Sequence, residues 1–106
     1  MSTLSKRLRE ARLLTGFSQE RLGIQVGIDP ASASTRMNRY EQGTRVPDPA
    51  TVERIASELG LPAAYFYAVE DDEAKLLQWF YQLSEEERAE LMQRIERRET
   101  LQKLSG

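Results

Sequence analysis

The 106-residue sequence contains no cysteine and no histidine. Without cysteine it can form no disulfide, thiolate nucleophile or cysteine-based zinc site. Without histidine it loses the commonest general base, the usual catalytic triads and most zinc-ligand sets. No apolar run approaches the roughly 20 residues that cross a bilayer, so no membrane span is expected. Met1–Arg7 leads into charged residues rather than an apolar signal core, which points to a cytoplasmic chain. A glycine-rich phosphate loop is also missing. An enzyme would have to work with carboxylates such as Glu85–Glu87, and that run reads as a solvent-facing helix start. Glu10 and Glu20 could be imagined as a metal pair, but nothing supplies the remaining ligands. Neither a cofactor, a metal nor a catalytic activity is therefore expected.

The chain is 40% hydrophobic and 30% charged, as in a soluble globular domain with a short appendage. Its net charge of −2 hides an asymmetry. Residues 1–45 hold eight cations (Lys6, Arg7, Arg9, Arg12, Arg21, Arg36, Arg39, Arg45) against Glu10, Glu20, Asp29 and Glu41, a net +4. Residues 71–106 hold a net −3. Screening limits each charge's reach to roughly 8–10 Å, so a local basic face can attract phosphate despite the negative total. Uneven scatter over solvated helix faces would give the same asymmetry.

The pattern is helical almost throughout. Leu4, Leu8 and Ala11 recur at i, i+4, i+7, and Gly16 stops that helix. Ser18 is a good N-cap for a short second helix carrying Leu22 and Val26, which Gly27 ends. Ile28-Asp29-Pro30 reads as a turn or helix start. A third helix is expected over Ala31–Gln42, with Ala33, Met37 and Tyr40 as its apolar face and Gly43 as its stop. Asp48 and Pro49 open a fourth helix bearing Val52, Ile55, Ala56 and Leu59. Pro62 opens a short aromatic fifth (Tyr65, Phe66, Tyr67), better suited to closing a core than to stacking bases. Glu70-Asp71-Asp72 marks the expected boundary. Beyond it lie a helix near Glu73–Leu83 and a last one from Glu85, where Ser84 and Glu87 have capping-box spacing. With no strand alternation and no repeat, the fold class is all-α: a five-helix unit over 1–70 and a two-helix extension over 71–106.

Two short helices joined by a glycine-containing turn are the geometry of a helix-turn-helix. A helix enters the major groove of DNA only if one face packs on the core and the other offers short polar or basic groups. At about 100° per residue, Ala33, Met37 and Tyr40 share one side of helix three. Thr35, Asn38, Arg39 and Gln42 lie opposite, flanked by Ser32, Ser34 and Arg36. None of these is acidic, and Glu41 turns toward the core.

Leu8–Leu61 resembles the Cro and phage-repressor (Xre) type helix-turn-helix family. The matching residues are Arg12, then Gly16-Phe17-Ser18-Gln19-Glu20-x-Leu22 and Gly27, then Arg39-Tyr40-Glu41-Gln42-Gly43. Val46-Pro47 and Ile55-Ala56-x-x-Leu59-Gly60 complete the set. The resemblance implies a sequence-specific regulator of transcription, a repressor, binding double-stranded DNA at a pseudo-palindromic operator. It implies that Gln19 lies against DNA, and that Ser34, Thr35 and Arg39 read bases. Thr44, Arg45 and the backbone near Gln42-Gly43 would meet phosphate. It also implies a buried ion pair between Arg12 and Glu41. Ser32, Ser34 and Thr35 could equally be a solvated helix start, Arg39 a surface salt bridge, and the Arg36 stem a cover for apolar surface.

Two features depart from the family. Gly23 stands where alanine is favoured, and both are small enough for close packing. Gly27 to Glu41 is about four residues longer than the family's usual spacing, with Asp29-Pro30-Ala31-Ser32 as the extra material. That insertion either lengthens the turn or extends helix three.

The tail carries apolar stripes, Leu76, Leu77, Phe80 and Leu83 with Trp79 beside them, then Leu91, Met92 and Ile95. These either extend the core or join a second subunit; a homodimer through 73–104 is expected, because one helix-turn-helix makes few contacts to DNA. Glu96, Arg97, Arg98 and Glu99 read as a solvated, ion-paired face. The same fold would also suit an antitoxin or adaptor whose main partner is another protein.

Overall fold

The computed structural model describes residues 2–105; Met1 and Gly106, the outer ends of the two expected segments, lie outside them. The described residues are all-helical. The first helix, α1 (Thr3–Thr15), is capped by the Ser2 hydroxyl, which accepts the Ser5 N–H at 3.2 Å. The second, α2 (Gln19–Gln25), is capped by Ser18, which accepts the Arg21 N–H at 3.0 Å. Then come α3 (Ala33–Gln42) and α4 (Pro49–Leu59), the latter capped by the Asp48 carboxylate at 2.7 Å from the Thr51 N–H. Each cap satisfies a backbone donor that the helix itself leaves unpaired.

The fifth element is tighter than an α-helix. Ala63–Tyr67 is a 3-10 helix whose Tyr65 N–H reaches the Pro62 carbonyl at 3.0 Å. Tyr65 and Phe66 are buried and meet edge to face at 5.3 Å, while Tyr67 stays outside. Two helices follow, α5 (Asp71–Gln82) and α6 (Glu85–Ser105). Ser84 and Glu87 cap each other reciprocally, at 3.0 and 3.1 Å. The first five elements enclose one core around Leu8, Leu22, Met37, Ile55 and Phe66. From α5, Ala74 is buried in that core and Leu77 packs against it. No residue of α6 belongs to it.

Two features were not expected. The first is the closeness of α2 to α3. A Cβ built on Gly23 would stand 2.8 Å from the Ala33 Cβ and 2.9 Å from its carbonyl oxygen. Alanine is therefore not an equivalent here: the departure from the family pattern is what lets the two backbones touch.

The second is Arg7. Counted above with the basic face, it is 1% exposed. Its Nε donates to the Ala68 carbonyl at 2.9 Å and its Nη2 to the Val69 carbonyl at 3.1 Å. Its Nη1 reaches Glu10 at 3.0 Å and Asp71 at 2.9 Å. Tyr65 donates its hydroxyl to the same Glu10 oxygen at 2.9 Å. One guanidinium thus holds the corner between the 3-10 helix and α5. Burial opposes the Arg7 charge, but Glu10 and Asp71 outweigh it and raise the pKa. Burial, then the Glu10 contact, pushes the Tyr65 hydroxyl up, so it stays a donor.

Gly23→Ala should destabilise the protein by about 1–3 kcal/mol in denaturant unfolding, although alanine is the better helix former, because backbone must move to admit the methyl. Asp71 gives a pH dependence. Its hydrogen bonds to Arg7 and then Lys6 hold its pKa below the usual carboxylate range. The unfolded chain therefore takes up the proton first. The stabilisation is complete above the ordinary carboxylate pKa, about 4, and is lost as pH falls through the lower folded value. Asp71→Asn should flatten that part of the stability–pH curve measured by thermal unfolding from pH 7 to 3.

Candidate nucleic-acid interface

Helix α3 is divided lengthwise. Ala33, Met37, Tyr40 and Glu41 are buried, while Ser34, Thr35, Arg36, Asn38, Arg39 and Gln42 are exposed. Thr35, Asn38, Arg39 and Gln42 stand opposite the buried side at helical spacing. Their tips supply hydroxyl, amide and guanidinium groups, and no exposed residue of α3 is acidic. Among the described residues Arg39 makes no ion pair, so its five donors face solvent rather than Glu20.

Helix α3 starts at Ala33, two residues later than the expected Ala31, and the stretch Asp29–Ser32 explains why. The Asp29 carboxylate accepts the Ala31 N–H at 2.8 Å, and its carbonyl accepts the Ser32 N–H at 2.9 Å. Asp29–Ser32 is thereby closed into a turn of its own, an alternative to helix that a short carboxylate offers its own backbone. Ser32 occupies the N-cap position without capping; its hydroxyl leans back 3.4 Å from the Asp29 carbonyl. Ser34 and Thr35 lie in the first turn, exposed.

At the other end Gly43 takes φ +76°, a left-handed conformation that a side chain strains. The Thr44 and Arg45 N–H groups turn back to the Arg39 carbonyl at 3.1 and 3.3 Å. The Thr44 and Arg45 side chains are exposed beside the end of α3, next to Val46, which is 76% exposed.

A buried salt bridge fixes the depth and rotation of α3. Arg12 donates from Nε to Glu41 Oε2 at 2.6 Å and from Nη2 to Oε1 at 3.0 Å, a two-pronged contact from α1 to the last turn of α3. A third donor of Arg12 reaches the Phe17 carbonyl at 3.0 Å, holding the α1–α2 turn. The Glu41 hydrogen bonds raise the Arg12 pKa against the opposing effect of burial.

Gln19 belongs to the same network. Its Nε2 donates to Asn38 Oδ1 at 3.2 Å and to Glu41 Oε1 at 3.3 Å. It is half-buried, with its amide N–H committed to α3, so it links the start of α2 to the exposed side of α3. Ten sequence-selected residues are thus gathered around α3, nine of them exposed and Gln19 half-buried. Arg21 was not selected. It is exposed at the start of α2, with its guanidinium 4.8 Å from the Phe17 ring, and its place beside Ser18 is the sequence signal that could have found it. Since Arg7 and Arg12 are engaged inside the protein, the cations left for an exposed face include Arg21, Arg36, Arg39 and Arg45.

Glu41→Ala should cost about 3–5 kcal/mol in chemical unfolding, because it leaves the Arg12 charge largely buried and uncompensated.

Comparison with known proteins agrees with this geometry. Curated protein sequences give no match. Among solved structures, the chain is similar to the crystal structure of the transcriptional regulator BswR. The TM-score is 0.83 and the sequences are 42% identical, over 88% of this chain and 92% of that one. The helix-turn-helix domain family matches residues 3–65, more than half of the sequence. The chain belongs to the helix-turn-helix family.

Proposed function

We propose that this helix-turn-helix protein is a sequence-specific transcriptional regulator, a repressor, that reads double-stranded DNA with α3. The observation that carries this is the two-sidedness of α3: one side locked into the core through Met37, Tyr40 and the Arg12–Glu41 pair, the other a row of uncharged polar and cationic groups. Residues 1–70 form the DNA-binding part. Arg39 is suited to bidentate donation to guanine O6 and N7. Asn38 and Gln42 carry amides that match the donor–acceptor pair of adenine. Ser32, Ser34, Thr35 and Arg36 flank this row, within reach of base edges or phosphate. Thr44, Arg45 and the Gln19 end of α2 would set register on the phosphates without reading sequence. In the cell the chain would occupy a promoter in the nucleoid and exclude polymerase.

Residues 71–106 would join two copies into a homodimer on a pseudo-palindromic operator. Leu76, Trp79, Met92 and Ile95 are all more than 40% exposed, which supports an interaction role for α5 and α6.

Selection of DNA fragments from a genomic library with the purified protein should return a palindromic site whose affinity falls steeply with salt. Arg39→Ala should lower affinity for that site by about 5- to 150-fold and relax preference at one position of each half-site. Sequence-indifferent binding that Arg39→Ala leaves unchanged would remove α3 as a reader and transfer the main role to a protein partner.

A further inference from the structure

We propose that Gln19 is a positioning residue for base reading: it turns the Asn38 amide so that Nδ2, and not Oδ1, is offered to DNA. This rests on the reading of DNA by α3 given above.

The order begins at Glu41. Its carboxylate is paired with the Arg12 guanidinium at 2.6 and 3.0 Å, and a carboxylate so paired only accepts hydrogen bonds. The Gln19 group that approaches it must therefore be the NH2, and Nε2 lies 3.3 Å from Glu41 Oε1. An NH2 has two hydrogens. The second goes to Asn38, so the atom that meets it there must be an acceptor, and Oδ1 stands at 3.2 Å. One ionic pair thus settles two amides in turn, each of which could otherwise present either end. Turning the Gln19 amide over would set its oxygen against the carboxylate and leave both hydrogen bonds unmade.

The result is an asymmetry at the protein surface. Asn38 is exposed, and no described residue takes its Nδ2 hydrogens. The donor–acceptor match named above for this side chain is narrowed to its donor half. In the major groove guanine offers O6 and N7, adenine N7 and thymine O4 as acceptors, whereas cytosine offers only its N4 donor. The base edge that Asn38 meets is therefore one that carries an acceptor, and cytosine there sets donor against donor. Without Gln19 the amide could turn over and accept from N4, and the refusal would lapse.

The test compares DNA selections by the full-length protein and by its Asn38→Ala, Gln19→Met and Gln19→Glu variants, with the folding of each followed by thermal unfolding. Asn38→Ala marks the position of each half-site that Asn38 reads. The unaltered protein should disfavour cytosine there by about tenfold, the worth of one hydrogen bond. Gln19→Met, similar in length but without a donor, should bring cytosine level with the other bases at that position and leave the position read by Arg39 as it was. Gln19→Glu puts a carboxylate where the NH2 stood. Asn38 should then donate Nδ2 to it, present Oδ1 and favour cytosine. If the added charge weakens all binding, Gln19→Met decides alone. A merely structural role for Gln19 would lower melting temperature and affinity for every site alike; base preferences left unchanged in Gln19→Met would overturn the proposal. So would cytosine accepted freely by the unaltered protein, or an Asn38→Ala variant that alters no position while α3 still reads through Arg39. Sequence-indifferent binding by the unaltered protein would overturn the DNA reading itself.

Discussion

The salt bridge between Arg12 and Glu41 joins the first helix to the last turn of the third, and it is made almost entirely out of water. Both oxygens of the carboxylate are engaged by the guanidinium, whose remaining nitrogen holds the Phe17 carbonyl in the turn between α1 and α2. Gln19 adds a donor to the same carboxylate. Three helices and a turn are thus registered by one ionic contact whose two-pronged geometry tolerates little rotation. A helix held only by Met37 and Tyr40 could roll on its apolar side. With Glu41 pinned it cannot, and the outward directions of Thr35, Asn38, Arg39 and Gln42 follow.

Close packing sets the other limit. Gly23 lets α2 approach α3 until its backbone lies against Ala33, so the two helices move as one body. The stretch Asp29–Ser32 does not disturb this, because Asp29 closes it into a turn before α3 begins. Helix α3 keeps its seat beyond that turn.

Local rules made much of this legible in advance. Ser2, Ser18, Asp48 and Ser84 cap helices through side-chain oxygens, and Gly16, Gly43 and Gly60 stop them, so most boundaries follow from residue chemistry a few positions away. The outward side of α3 follows from periodicity alone. What escaped depends on distance in sequence. Whether residue 23 tolerates a methyl is decided by Ala33, and periodicity cannot see how close two backbones come. Arg7 looks like any cation on an amphipathic helix. Its burial depends on carbonyls of Ala68 and Val69 and on Asp71, more than sixty positions away. Whether α3 begins at Ala31 or Ala33 turned on two Asp29 hydrogen bonds competing with two more helical residues.

Arg7 also governs something it never touches. By gripping the two carbonyls just ahead of α5, and the first residue of α5 itself, it sets the heading at which α5 leaves the 3-10 helix. Everything beyond inherits that heading, over a molecule 60 Å long. The corner therefore acts as a protractor. In any assembly built on the last two helices, the angle between reading heads, and so the spacing of the sequence they could span, would be written in a buried arginine that meets neither nucleic acid nor neighbour. Such a protein could be retuned to a differently spaced target from its interior, with every contact residue left as it is.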